Sequence, residues 1–176
     1  MSQHIVISAI GTDRPGAVQD LSECVLGCGG NILESRMARL GREFAMLLLV
    51  SGNWAAVTKL EQALQKLGEK TGLSVSLKPT ELAPAAAERL PYAIDVISLD
   101  QQGIVFELSR FLASRDVDIT DVSTRSYAAA HTGAPMFAVQ MNVGVPAKLP
   151  IAQLREEFLE LTDSLNLDAI IEPIKP

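Results

Sequence analysis

"AIGTDRPGAVQDLSECVLGCGGNI", residues 9–32, lies without a gap over "VISLDQQGIVFELSRFLASRDVDI", residues 96–119. Asp13 falls on Asp100, Gly16 on Gly103, Val18 on Val105, Leu21 on Leu108 and Ile32 on Ile119, every pair 87 positions apart. Further on, Phe44-Ala45 matches Phe137-Ala138 at a spacing of 93. Leu60, Leu64 and Leu67 match Leu154, Phe158 and Leu161 at 94, so about six extra residues sit between 126 and 136 in the second copy. Self-similarity of this extent marks a duplicated structural unit.

One copy reads element by element. "HIVISAI" (4–10) is apolar and β-branched, which predicts a buried strand. Apolar residues at 17, 18, 21, 24, 25 and 28 make one stripe on a helix, which Gly27, Gly29 and Gly30 end. "NILESRMARL" (31–40) predicts a strand with mixed faces, Gly41 a turn, and "REFAMLLLVS" (42–51) a returning strand. Gly52-Asn53 opens a second helix with the stripe Val57, Leu60, Leu64 and Leu67, and "LSVSLKP" (73–79) closes with period-2 alternation. The order β-α-β-β-α-β predicts the ferredoxin-like plan, an α+β fold with an antiparallel sheet and both helices on one face.

Between the copies, "PTELAPAAAERLP" (79–91) has proline at both ends and reads as a linker, with one helical turn at 85–89. The expected domains are 1–79 and 91–176, joined by 80–90. Domains this small bury limited surface, so the copies are expected to support each other. Pairing of edge strands side by side would also remove open edges, and a homo-oligomer is expected.

The composition narrows the function. The chain of 176 residues is 48% hydrophobic and 5% aromatic, with a net charge of −6 and a pI near 4.9. Phosphate backbones repel such a chain, so no direct nucleic-acid partner is expected. RNA-binding domains of the same plan stack bases on exposed aromatics, and the two central strands here offer one, Phe44. No stretch approaches the ~18 apolar residues of a membrane span, and the N-terminus lacks a signal peptide's pattern. A cytoplasmic protein is expected, with no membrane partner. Cys24 and Cys28, four apart on the apolar stripe, read as reduced core residues, because a structural zinc site needs four ligands. His4 and His131 stand without a positioned partner, and no Ser-His-Asp spacing, nucleophile elbow or Walker loop occurs. The chain is therefore not expected to be an enzyme, nor to hold a metal or cofactor.

The turn "TDRPG" (12–16) joins the first strand to the first helix. Pro15 suits a first helical turn, Gly16 lets another group approach the backbone, and Asp13 or Thr12 can cap the helix. Free amides at a helix start favour an anion such as a small carboxylate, and Arg14 can bind one bidentately. The second copy repeats the turn as Asp100-Gln101-Gln102-Gly103. Each copy places a small polar residue, Asn31 or Asp118, just before the Ile that begins the next strand.

Asp13-x-Pro15-Gly16, a helix, then Gly29-Gly30-Asn31-Ile32 on a βαββαβ unit resembles the ACT domain, the amino-acid-sensing module of metabolic regulation. Two such units on a short linker, with no attached enzyme, resemble the glycine cleavage system transcriptional repressor family. That resemblance implies a glycine-like amino acid effector bound where ACT units meet. It implies ligand-binding roles for Thr12, Asp13, Arg14, Pro15, Gly16, Asn31 and Ile32, and for Asp100, Gln101, Gln102, Gly103 and Asp118. It also implies repression through a partner transcription factor rather than through DNA contact. The alternatives are an ACT interaction module with vestigial sites and a regulatory subunit of an amino-acid metabolic enzyme. Gln102 in place of Pro15, and Asp118 in place of Asn31, predict that the two sites are not equivalent.

Overall fold

The computed structural model describes residues 3–82 and 88–174. The chain forms two compact units, one for each copy of the repeat. Unit 1 runs β1 (Gln3–Thr12), α1 (Ala17–Gly27), β2 (Asn31–Leu40), β3 (Glu43–Gly52), α2 (Trp54–Thr71) and β4 (Ser74–Thr80). Unit 2 runs β5 (Arg89–Leu99), α3 (Ile104–Ala113), β6 (Asp118–Ala128), β7 (Pro135–Pro146), α4 (Ile151–Ser164) and β8 (Asp168–Pro173). The sheets are ordered β2-β3-β1-β4 and β6-β7-β5-β8, and every pairing is antiparallel. This is the duplicated ferredoxin-like fold that the repeat predicts.

Alternation along the central strands decides which face is buried. In unit 1, Ile5, Ile7 and Ala9 of β1 and Phe44, Met46, Leu48 and Val50 of β3 face inward. They meet Leu21 and Val25 of α1 and Leu60 and Leu64 of α2. Unit 2 repeats the layer with Ile94, Val96, Val139, Met141 and Val143 under Leu108, Leu112, Leu154 and Phe158. Asn53 caps α2, its Oδ1 accepting from the Ala56 amide at 2.8 Å. Gly11 permits a close approach, because a Cβ there would stand 2.8 Å from Leu73 Cδ2.

Three features depart from the expected boundaries. β1 runs on to Thr12 because β3 offers it partners as far as Glu43. Of the expected turn at 85–89, residues 85–87 lie outside the described residues, and Arg89 already belongs to β5. Arg89 is drawn into the sheet opposite Pro146, where Nη1 donates to the carbonyls of Asp116 at 2.5 Å and Gly144 at 3.2 Å. The extra residues of copy two form a hairpin rather than an irregular excursion. The ladder continues to Ala128 opposite Pro135, and the Gly133 amide closes the tip on the Ala129 carbonyl at 2.8 Å. The edge strands β2 and β6 carry a bulge at the same place, between Ile32 and Glu34 and between Ile119 and Asp121.

Candidate functional site

The corner between β1 and α1 is a type II turn set before the helix. The Ala17 amide reaches the Arg14 carbonyl at 3.4 Å, and Gly16 has φ 87° and ψ −5°. Pro15 fills the second position of that turn and lies outside α1, in place of the first-turn role expected of it. Gly16 is required by its positive φ, not by crowding, since the nearest atom to a Cβ there is Arg14 Nη1 at 3.7 Å. No side chain caps α1. Asp13 is not the cap, because its carboxylate pairs instead with Arg39 Nε at 2.9 Å. Thr12 is an exposed β1 residue opposite Glu43. Arg14 pairs with Asp20 on the first turn of α1.

The uncapped start of α1 opens on a depression of about 610 Å³. Asp13 through Gln19 form one wall, and Met37, Arg39 and Phe44 form the other. The start of α1 without a side-chain cap, two arginines and Asp13 lie beside apolar Met37 and Phe44. Such a corner can accept a small molecule that carries both charges. The sequence reading did not place Met37, Arg39 or Phe44 at this corner. The hairpin register was the available signal: with Gly41-Arg42 as the turn, Arg39 must lie opposite Phe44.

Asn31 does not join this corner within its unit. It sits opposite Ser51, whereas β1 enters the turn from Thr12 opposite Glu43, eight residues along β3. At ~3.4 Å per residue the two ends are about 27 Å apart. Ile32 packs against the core of unit 1. Asp118 is likewise remote from Asp100, opposite Gly144 at the far end of β7.

In unit 2, Gly103 repeats the left-handed geometry with φ 90°. Ser126 Oγ donates to Asp100 Oδ2 at 3.1 Å, and Gln101 Nε2 donates to the Leu165 carbonyl at 3.1 Å. Gln102 stands at the position of Pro15, exposed.

Cys24 and Cys28 are both free and half-buried against the core of unit 1. Burial, with Cys28 as a neighbour, pushes the Cys24 thiol up to about 11. Among the described residues no helix is long and apolar enough to cross a membrane.

The ACT domain family matches residues 3–78. The glycine cleavage system transcriptional repressor of Escherichia coli (strain K12) is 30% identical over 174 residues, 98% of this chain and 92% of the relative. The chain belongs to the glycine cleavage system transcriptional repressor family. A crystal structure described as that of a glycine cleavage system transcriptional repressor superposes with a TM-score of 0.76 at 30% identity, covering 100% of this chain and 99% of the other. A protein of unknown function from Galdieria sulphuraria gives a TM-score of 0.81 at 27% identity, covering 99% and 100%. The chain is thus a regulatory ACT protein, and its tandem architecture is that of the family over its whole length.

Proposed function

We propose that this chain is a repressor of glycine cleavage that senses a small amino acid, glycine foremost, at the corner of unit 1. The observation that carries the reading is the open depression beside Gly16, where Asp13 and Arg39 are paired. Uncapped amides and the arginines suit the effector's carboxylate, and Asp13 suits its ammonium group. Kinship with a named repressor of glycine cleavage supports the regulatory output.

Repression acts through a partner transcription factor. The net charge of −6 opposes direct contact with DNA and favours a basic protein partner. A change in the partner's affinity requires that the effector bind the two states of the repressor unequally. The chain works as a homo-oligomer, which the exposed edge strand β2 supports, since an open ten-residue edge is a ready place for a second copy to add.

Titration calorimetry with glycine, serine and alanine tests the effector. Saturable binding of glycine is expected, and the absence of heat and of thermal stabilisation at millimolar concentrations would exclude it. Light scattering behind a sizing column tests the oligomer. The competing reading is an interaction module with idle sites. It draws on Arg14 and Arg39 each being already matched by an aspartate.

A further inference from the structure

The two copies keep the same scaffold at this corner and differ in its charge. The Asp13 amide donates to the Arg42 carbonyl at 3.0 Å, and the Asp100 amide to the Pro135 carbonyl at 2.9 Å. Asp20 and Glu107 close the first helical turns onto Gly16 and Gly103, both at 2.9 Å. In each unit the edge strand reaches across to hold the aspartate, with Arg39 in one and Ser126 in the other. These shared bonds assign a structural duty to the Asp-x-x-Gly turn in both copies.

What is not shared is the chemistry that takes a carboxylate. Arg14 is matched by Gln101, and Arg39 by Ser126. The Gln101 amide is committed to the carbonyl of Leu165 at the end of α4. Gln19, a wall of the unit 1 depression, is matched by exposed Phe106. A carboxylate arriving at Gly103 would face Asp100 with a hydroxyl, not a guanidinium, beside it. A depression of about 460 Å³ in unit 2 opens on the outer face of the sheet, between Arg125 and Asp95, and Gly103 is not among its walls.

We infer that each chain binds one effector molecule, in unit 1 alone, and that Arg39 takes its carboxylate while the corner of unit 2 serves only as structure. The inference rests on the effector reading above. A guanidinium has five N–H donors, and Asp13 engages Arg39 through Nε, so the rest of the fork can face the depression. Arg39 is thereby positioned by the same aspartate that suits an ammonium group.

The two glycines supply separate reporters. In a ¹⁵N-labelled full-length chain titrated with glycine, the Gly16 amide resonance should move saturably while the Gly103 amide stays in place. Arg39→Ser, which writes the residue of unit 2 into unit 1, should weaken the Gly16 response about tenfold or more. Arg39 is exposed, so the fold should survive the change, and the unshifted remainder of the spectrum verifies it. Equal movement of both amides overturns the inference and leaves the effector reading standing. Movement of Gly103 alone, or an unaltered response in Arg39→Ser, also overturns it. If neither amide moves, the effector reading fails with it.

Discussion

Asp13 and Arg39 meet at 2.9 Å across a strand that separates them. Asp13 follows β1 and Arg39 belongs to β2, while β3 runs between, its Phe44 opposite Gly11 on one side and Arg39 on the other. The pair therefore spans the open end of the unit 1 sheet, above a buried ring. Its side chains are 32% and 70% exposed, so the contact contributes little to stability and much to the charge of the depression.

Asp13→Asn keeps the shape and removes the charge. The expected change in stability is below ~1 kcal/mol, because exposed ion pairs contribute about that or less. Affinity for a zwitterionic effector should fall markedly. Thermal unfolding and calorimetry on the same preparation separate the two effects, and a large loss of stability with unchanged binding would contradict this assignment.

Glycine substitutions should split by backbone angle. Gly16 and Gly103 hold φ 87° and 90°, so alanine at either should cost about 1 kcal/mol. Gly27 ends α1 without a positive φ, with nothing within 4 Å of an added Cβ. Gly27→Ala should therefore stabilise, by about 0.5–1 kcal/mol. Chemical denaturation of the three variants checks the opposite signs.

Gly11→Ala should destabilise through crowding, at an ordinary strand angle. The new Cβ would lie 2.8 Å from Leu73 Cδ2 and 3.3 Å from the Gly72 carbonyl oxygen. The side chain can rotate but the backbone oxygen cannot, and overpacking of this kind costs about 1–3 kcal/mol. Unfolding of the variant by urea measures it, and a companion Leu73→Val should recover part of the loss.

The cysteines give a pH dependence with a definite sign. The Cys24 thiol is raised from its ordinary 9.0 to about 11, chiefly by burial and then by Cys28. The folded chain holds this proton more tightly than the unfolded one. Its contribution to stability is complete below pH 9.0 and is lost as pH rises toward about 11. Cys24→Ser should flatten that limb of the stability profile. Alkylation of the wild-type thiol should be slow at neutral pH and accelerate as the solution becomes alkaline.

The duplication was legible because it is carried by local spacing. Leu21 with Leu108, and Leu60 with Leu154, keep helical stripes that survive without an alignment of relatives. The antiparallel plan followed from element order and turn residues. The partner of Asp13 was not legible. A carboxylate two residues before a proline suits a cap, and only the sheet register shows that an arginine on another strand takes it first.

Asn31 shows the same limit from the other side. Its place after Gly29-Gly30 suggested a role shared with Gly16, yet α1 carries the chain away along the full length of the sheet before Asn31 begins β2. Short-range patterns therefore determined that this protein is two βαββαβ units with an Asp-x-x-Gly turn before the first helix of each, because helix and strand periodicities are properties of neighbouring residues. Tertiary structure alone decided that Arg39, Met37 and Phe44 face Gly16 while Asn31 does not, because strand register brings together residues whose separation along the chain carries no information about distance.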